Sequence, residues 1–189
     1  MKRTRLLILV YCTLACVLLV AQPASLQPPR FKWGFKFSSE WAGFRNYSMR
    51  LYRVQNGGIQ SVIRLGKSNW SLETGLYFNT KIPELWNEKI KYRYLNLPLN
   101  IRYDKKGFYF SAGFFADYLV RCVPDQEFYN VNNVARNYGA GVNGAIGYER
   151  KIYRKINLLL EIRGMRNFFG YQSLYFISRG VCVGLNYSV

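Results

Sequence analysis

Residues 92–114, YRYLNLPLNIRYDKKGFYFSAGF, alternate apolar and other side chains on both sides of a short polar link, Asp104-Lys105-Lys106-Gly107. A period of two belongs to a β-strand, whose successive side chains point to opposite faces. Two such runs joined by a short polar link form a hairpin. Pro98 stands in the middle of the first run. Proline has no N–H for the ladder, so a strand break is expected there.

The same period recurs after Pro28-Pro29, and eight strands are predicted, at about 30–38, 59–66, 69–81, 91–103, 107–121, 137–149, 156–167 and 176–188. A ninth, short strand within 49–55 is the competing count. The links alternate in length. Residues 39–58, 79–91, 122–136 and 169–175 are long links, whereas those around Lys67-Ser68, DKKG and RKIYRK are short. An up-and-down meander with long links at one end and tight turns at the other is the layout of an outer-membrane barrel. It puts both chain ends on the periplasmic side.

One strand phase carries Phe31, Trp33, Phe35 and Phe37, then Leu95, Leu97, Leu99 and Ile101, then Phe108, Phe110 and Phe114, then Leu158, Leu160 and Ile162. The opposite phase carries Lys32, Lys36, Glu73, Arg102, Asp117, Glu149, Glu161 and Arg163. A soluble lipocalin-like barrel would turn the apolar phase inward; a membrane barrel turns it to lipid and pairs the charges inside. Three features favour the membrane. The apolar phase runs unbroken over long strands. Trp33, Trp70, Tyr103, Tyr118, Tyr148 and Tyr187 fall near strand ends, where interfacial girdles are built. The polar phase mixes Glu and Arg with Gly, Ser and Asn, as expected of side chains packed inside eight strands. In addition, the basic residues of the apolar phase, Arg93 and Arg179, lie near loop-side ends, from which a long side chain snorkels. The expected fold is therefore an all-β, eight-stranded antiparallel up-and-down transmembrane β-barrel over 30–189.

The chain of 189 residues carries 27 Lys+Arg against 10 Asp+Glu, a net +17. Its start, MKRTRLLILVYCTLACVLLVAQPAS, has a basic head, an apolar run over 6–21 and then small residues. That is the pattern of a secretory signal peptide, expected over 1–24, with 25–29 as a short periplasmic lead. Without Lys2, Arg3 and Arg5 the remainder holds 24 basic and 10 acidic residues, a net +14. For an exported chain such a balance points to a membrane surface rather than to nucleic acid. Cys122 and Cys182 are the cysteines beyond the signal, expected outward and inward respectively and so unpaired.

The chain has no histidine. Neither the His-based catalysis of lipid-modifying barrels nor a transition-metal site is indicated, so no catalytic residue, metal or cofactor is expected. The loop carboxylates Glu84, Glu88, Asp125 and Glu127 read as solvated charge rather than a calcium site. Glu73, Arg102, Asp117, Glu149, Glu161 and Arg163 are expected to form a lumenal charge network, with Glu161 and Arg163 sharing a cluster. The rival reading is a narrow polar pathway. Lys67, Lys105, Lys106, Arg150, Lys151, Arg154 and Lys155 are expected in basic periplasmic turns, facing lipid phosphates or an acidic partner.

The run Tyr94-Leu95-Asn96-Leu97-Pro98-Leu99-Asn100-Ile101-Arg102-Tyr103 resembles a Y-L-x-I-P-L strand of the PorT-like outer-membrane barrels of Bacteroidetes, an OmpA-like small-barrel architecture. Ser111-Ala112-Gly113, the glycine elements Gly139-Ala140-Gly141, Gly144 and Gly147-Tyr148-Glu149, and the closing Val183-Gly184-Leu185-Asn186-Tyr187 are similar too. Asn96 departs from the Glu or Gln common in that family. The resemblance implies a location in the outer membrane of a Gram-negative bacterium, contact with phospholipid and lipopolysaccharide, and for some members support of an envelope or secretion assembly. It transfers no catalytic residue. The expected role is thus structural or interaction-based. A narrow gated pore and a soluble periplasmic ligand binder are the alternatives.

Overall fold

The computed structural model describes residues 31–44, 52–82, 84–85, 88–89, 91–123, 138–168 and 176–189. The expected signal peptide and lead, and the loop carboxylates Asp125 and Glu127, lie outside the described residues.

Eight long strands close into one antiparallel barrel: β1 (Phe31–Phe44), β2 (Tyr52–Arg64), β3 (Trp70–Lys81), β6 (Lys91–Lys105), β7 (Phe108–Val123), β8 (Tyr138–Tyr153), β9 (Ile156–Asn167) and β10 (Phe176–Ser188). Each pairs with its neighbours in sequence, and β1 closes on β10 with Trp33 opposite Tyr187 and Phe37 opposite Val183. Two short strands, β4 (Glu84–Leu85) and β5 (Glu88–Lys89), make a separate hairpin in the link between β3 and β6, where a plain loop was expected. Glu84 and Glu88 therefore belong to that hairpin.

The largest departure from expectation concerns residues 39–58. Most of this stretch is strand, not loop: β1 runs on to Phe44, and β2 begins at Tyr52. The residues assigned to a ninth strand are in part the start of β2. The misreading has a physical cause, because a charge such as Glu40 looks like loop composition unless a distant partner neutralises it. Similarly, Lys105, Arg150 and Lys151 are strand residues, while Arg154 and Lys155 form the turn. Tight turns require left-handed backbone at Lys106 (φ 52°), Gly107 (φ 86°) and Arg154 (φ 37°).

The polarity is that of a membrane barrel. Phe37 and Ile162 are 68% and 69% exposed on the outer face, whereas Arg102 and Glu40 are 0% and 1% exposed within. On β1 the outward run from Trp33 to Trp41 covers about nine residues, the length with which a tilted strand crosses a bilayer. Aromatic pairs mark the short-turn rim: Trp70 with Tyr103 (ring centroids 4.9 Å apart), Phe108 with Tyr148 (4.8 Å) and Trp33 with Tyr187 (6.0 Å). Tyr118 and Tyr138 pair near the opposite rim at 5.3 Å. Such belts sit where rings meet both lipid tails and headgroups.

Pro98 lies on the lumenal phase and is buried. The β3–β6 ladder holds Thr74 opposite Leu99 and Tyr77 opposite Asn96, with no registered pair between them. The gap leaves the register unshifted, so it is an interruption rather than a bulge. The Thr74 hydroxyl donates to the Pro98 carbonyl at 2.8 Å and offsets part of the loss.

Ile162 faces lipid in mid-strand, opposite Ile146 and Val181. Ile162→Arg is expected to lower unfolding free energy by about 2–4 kcal/mol, the cost of a cation at the bilayer midplane. Urea titration of the chain folded into phosphatidylcholine vesicles measures this.

Candidate functional site: the lumen

The inward phase of the eight strands builds a continuous polar core. At the short-turn end, Arg102 on β6 donates to Asp104 (2.6 Å) and to Glu149 on β8 (2.5 Å), and Lys32 on β1 donates to the other oxygen of Glu149 (2.9 Å). The Arg102 guanidinium lies 3.7 Å over the Tyr109 ring and 3.6 Å from Glu73. One layer further in, Lys36 donates to Glu73 (2.9 Å) and Glu161 (2.7 Å), and the Tyr109 hydroxyl donates to Glu161 (2.6 Å).

Beyond it, Arg163 on β9 binds Glu40 on β1, which also accepts from Ser178 at 2.8 Å and Ser38 at 2.5 Å. Towards the loop end, Lys81 donates to Asp117 at 2.5 Å, and Asn96 donates to the other Asp117 oxygen at 2.8 Å. Lys81 also sits 4.4 Å and 4.6 Å from the ring centroids of Tyr94 and Phe176. Above this, Ala42, Val54, Ile82 and Phe176 pack as an apolar cap.

All six charges predicted for the lumen point inward. Glu73, Arg102, Glu149 and Glu161 join one chain of contacts through Lys36 and Arg102, whereas Asp117 belongs to the Lys81 cluster. The shared cluster expected for Glu161 and Arg163 is corrected: Glu161 pairs with Lys36, and Arg163 with Glu40. Alternation did not single out Glu40, because it sat in a presumed loop. Lys81 closed a predicted strand at its loop-side boundary, and Asp104 sat in a turn.

Cations and carboxylates nearly balance: Lys32, Lys36, Lys81, Arg102 and Arg163 face Glu40, Glu73, Asp104, Asp117, Glu149 and Glu161. Removing an ion from water costs several kcal/mol, and the network is tenable because nearly every charge has an opposite charge within hydrogen-bond reach. Close approach is made possible by small residues. A Cβ on Gly147 would come within 2.4 Å of the Tyr109 ring, so the glycine is what admits that ring beside Arg102.

The packing leaves little space. The mid-lumen void between Lys36, Glu73, Tyr77, Asn100, Ser111 and Asn143 is about 20 Å³, the size of one water molecule. At the short-turn end the lumen widens into a vestibule of about 510 Å³. Of the predicted basic residues, Lys105, Lys106 and Lys151 line it with Lys32 and Arg64; Lys67, Arg150, Arg154 and Lys155 do not. Arg154 instead lies over Tyr153, and Lys155 over Tyr187. Cys182 is buried in the lumen as a free thiol. Among the described residues there is no group of His, Cys, Asp or Glu side chains arranged to hold a metal.

No family model and no curated protein matches the chain. Solved structures do. Neisserial surface protein A is similar over 83% of this chain and 96% of its own, at 12% identity and a TM-score of 0.53. Two others fall just lower: the outer membrane protein AlkL (11% identity, 89% and 94% covered, TM-score 0.48) and the attachment invasion locus protein Ail of Yersinia pestis (5%, 85% and 100%, 0.48). At 12% identity the likeness to Neisserial surface protein A shows the fold alone, an eight-stranded transmembrane β-barrel.

Lys36→Met should destabilise the barrel by about 3–5 kcal/mol, because Glu73 and Glu161 are left buried without their cation. Adding Glu73→Gln and Glu161→Gln to that variant should recover most of the loss. Denaturant midpoints of the single and triple variants in one detergent decide it.

Proposed function

We propose that this protein is an outer-membrane barrel of structural or interaction type, a scaffold whose loop end and rims make its contacts. The observation that carries the reading is the filled lumen: interlocked ion pairs around a water-sized void, capped by Ala42, Val54, Ile82 and Phe176. A pore needs a continuous wet path, and its charges must exchange partners with passing ions. Here the lumenal charges are spent on one another. The inverted polarity likewise leaves no apolar interior for a lipocalin-like ligand.

The role proposed is anchoring and support of an envelope or secretion assembly, with no catalytic step. The Tyr94-Leu95-Asn96-Leu97-Pro98-Leu99 strand supports a PorT-like affiliation. An outer-membrane location is supported by the lipid-facing band and by the export signal read in the sequence. Lumenal side chains then stabilise, while the surface residues recognise.

In planar bilayers the full-length folded protein should give no steady conductance above the lipid baseline at about 100 mV of either sign, a drop worth about 2.3 kcal/mol per elementary charge, while its unboiled band migrates apart from the boiled one. Reproducible conductance steps from the folded species would replace the scaffold with the pore. In cells, a photo-crosslinking residue at Glu84 should yield discrete protein adducts that the same residue at Lys106 does not.

A further inference from the structure

We propose that the loop-side rim carries a binding belt for phosphate-bearing lipid headgroups, built from arginines that face the membrane. The inference rests on the membrane-barrel reading above and adds a ligand class and a site to it. Arg53 on β2, Arg93 on β6, Arg121 on β7 and Arg179 on β10 are exposed at the strand ends furthest from the short turns, with Lys91 beside them. All six carboxylates of the described long barrel strands point into the lumen, so none of the six balances this belt from the outer face.

Two features of the backbone make the belt more than a scatter of surface charge. First, Arg93 and Arg121 are direct cross-strand partners. Like charges in that relation destabilise a sheet unless a counter-ion lies between them. Secondly, the placement of Arg121 depends on a local irregularity. The β6–β7 register pairs Tyr94 with Leu119 but Arg93 with Arg121, so Val120 is an inserted residue. Without that insertion the alternation along β7 would send Arg121 into the lumen, on the phase of Phe115 and Asp117. The bulge turns it outward, onto the face of Arg93. Re-aiming a side chain is a recognised use of bulges.

On the opposite side of the barrel, Trp41 is registered between Arg53 on one neighbour and Arg179 on the other. An indole at the headgroup level with a guanidinium on each side is suited to a lipid whose tails continue down the apolar band. Guanidinium groups match phosphate in shape and hydrogen-bonding fork. The occupant is therefore an anionic lipid of the leaflet at the loop end, its phosphates on the arginines and its acyl chains on Phe37, Leu95 and Val181 below them.

The test compares the full-length protein folded in vesicles of phosphatidylcholine alone and of phosphatidylcholine with bis-phosphorylated lipid A. Arg121→Gln should raise the urea midpoint in the first, by relieving the Arg93 repulsion, and lower it in the second, by removing a phosphate contact. The same sign of shift in both lipids would overturn the proposal. In native mass spectrometry the variant with Arg53, Arg93, Arg121 and Arg179 all changed to Gln should retain bis-phosphorylated lipid A at least about tenfold less than wild type. The control with Lys67, Lys105, Lys106 and Lys151 changed to Gln should retain it as wild type does. Equal loss in the two variants, or displacement of the lipid by millimolar inorganic phosphate, would also overturn it. Heat-modifiable gel migration is read for every variant. A wild-type chain without it would refute the barrel itself, a failure distinct from loss of the belt.

Discussion

A charge removed from water must find an opposite charge or pull the structure apart, and in this barrel that constraint falls on the lumen. Eight strands leave an interior wide enough for side chains but not for bulk solvent. Lys36, at the centre, holds Glu73 and Glu161 from two different strands, and Arg102 ties Glu73, Asp104 and Glu149 together. Apart from Arg102 with Asp104 on its own strand, these contacts join different strands, so they constrain the cross-section of the barrel as well as its electrostatics. The outer face gives the apolar burial in lipid; the inner face determines which strand lies against which.

The distribution of charge obeys the same constraint. Six of the ten acidic residues are taken up by the lumenal pairs, which leaves the positive excess of the described residues at the rims. The short-turn rim holds its cations in turns and around the vestibule, while the loop-side rim holds them on lipid-facing strand positions. Both are places where a long basic side chain reaches headgroups without entering the hydrocarbon. Among the described residues the positive excess therefore belongs to the outer surface and the rims. The interior is close to neutral.

Pro98 shows how a local defect is accommodated. Its missing N–H opens the β3–β6 ladder over two residue pairs, yet the register on either side is the same. The ladder can bridge the gap because the ring faces the lumen beside the small void, and Thr74 supplies a side-chain donor to the carbonyl. At the Val120 bulge the outcome is the opposite, a shift of one residue that inverts the facing of Arg121 beyond it. One irregularity is absorbed and the other re-aims a side chain.

The sequence by itself determined the strand period, the number of long strands, the side with tight turns and the identity of the two faces. Each of these is a local property, written in which residues alternate and where short polar links fall. Phe108, Phe110 and Phe114 against Tyr109, Ser111 and Asp117 need no knowledge of any other strand. Only the tertiary structure decided which lumenal charge meets which. The pairs join residues as distant as Lys32 with Glu149 and Lys36 with Glu161, and their meeting depends on barrel closure and stagger. For the same reason Glu40 read as loop until Arg163 was seen across the lumen, and Arg121 carried no visible facing until the bulge at Val120 was placed. Alternation is set by one strand's own backbone; partnership is set by the shear between strands, which no single strand encodes.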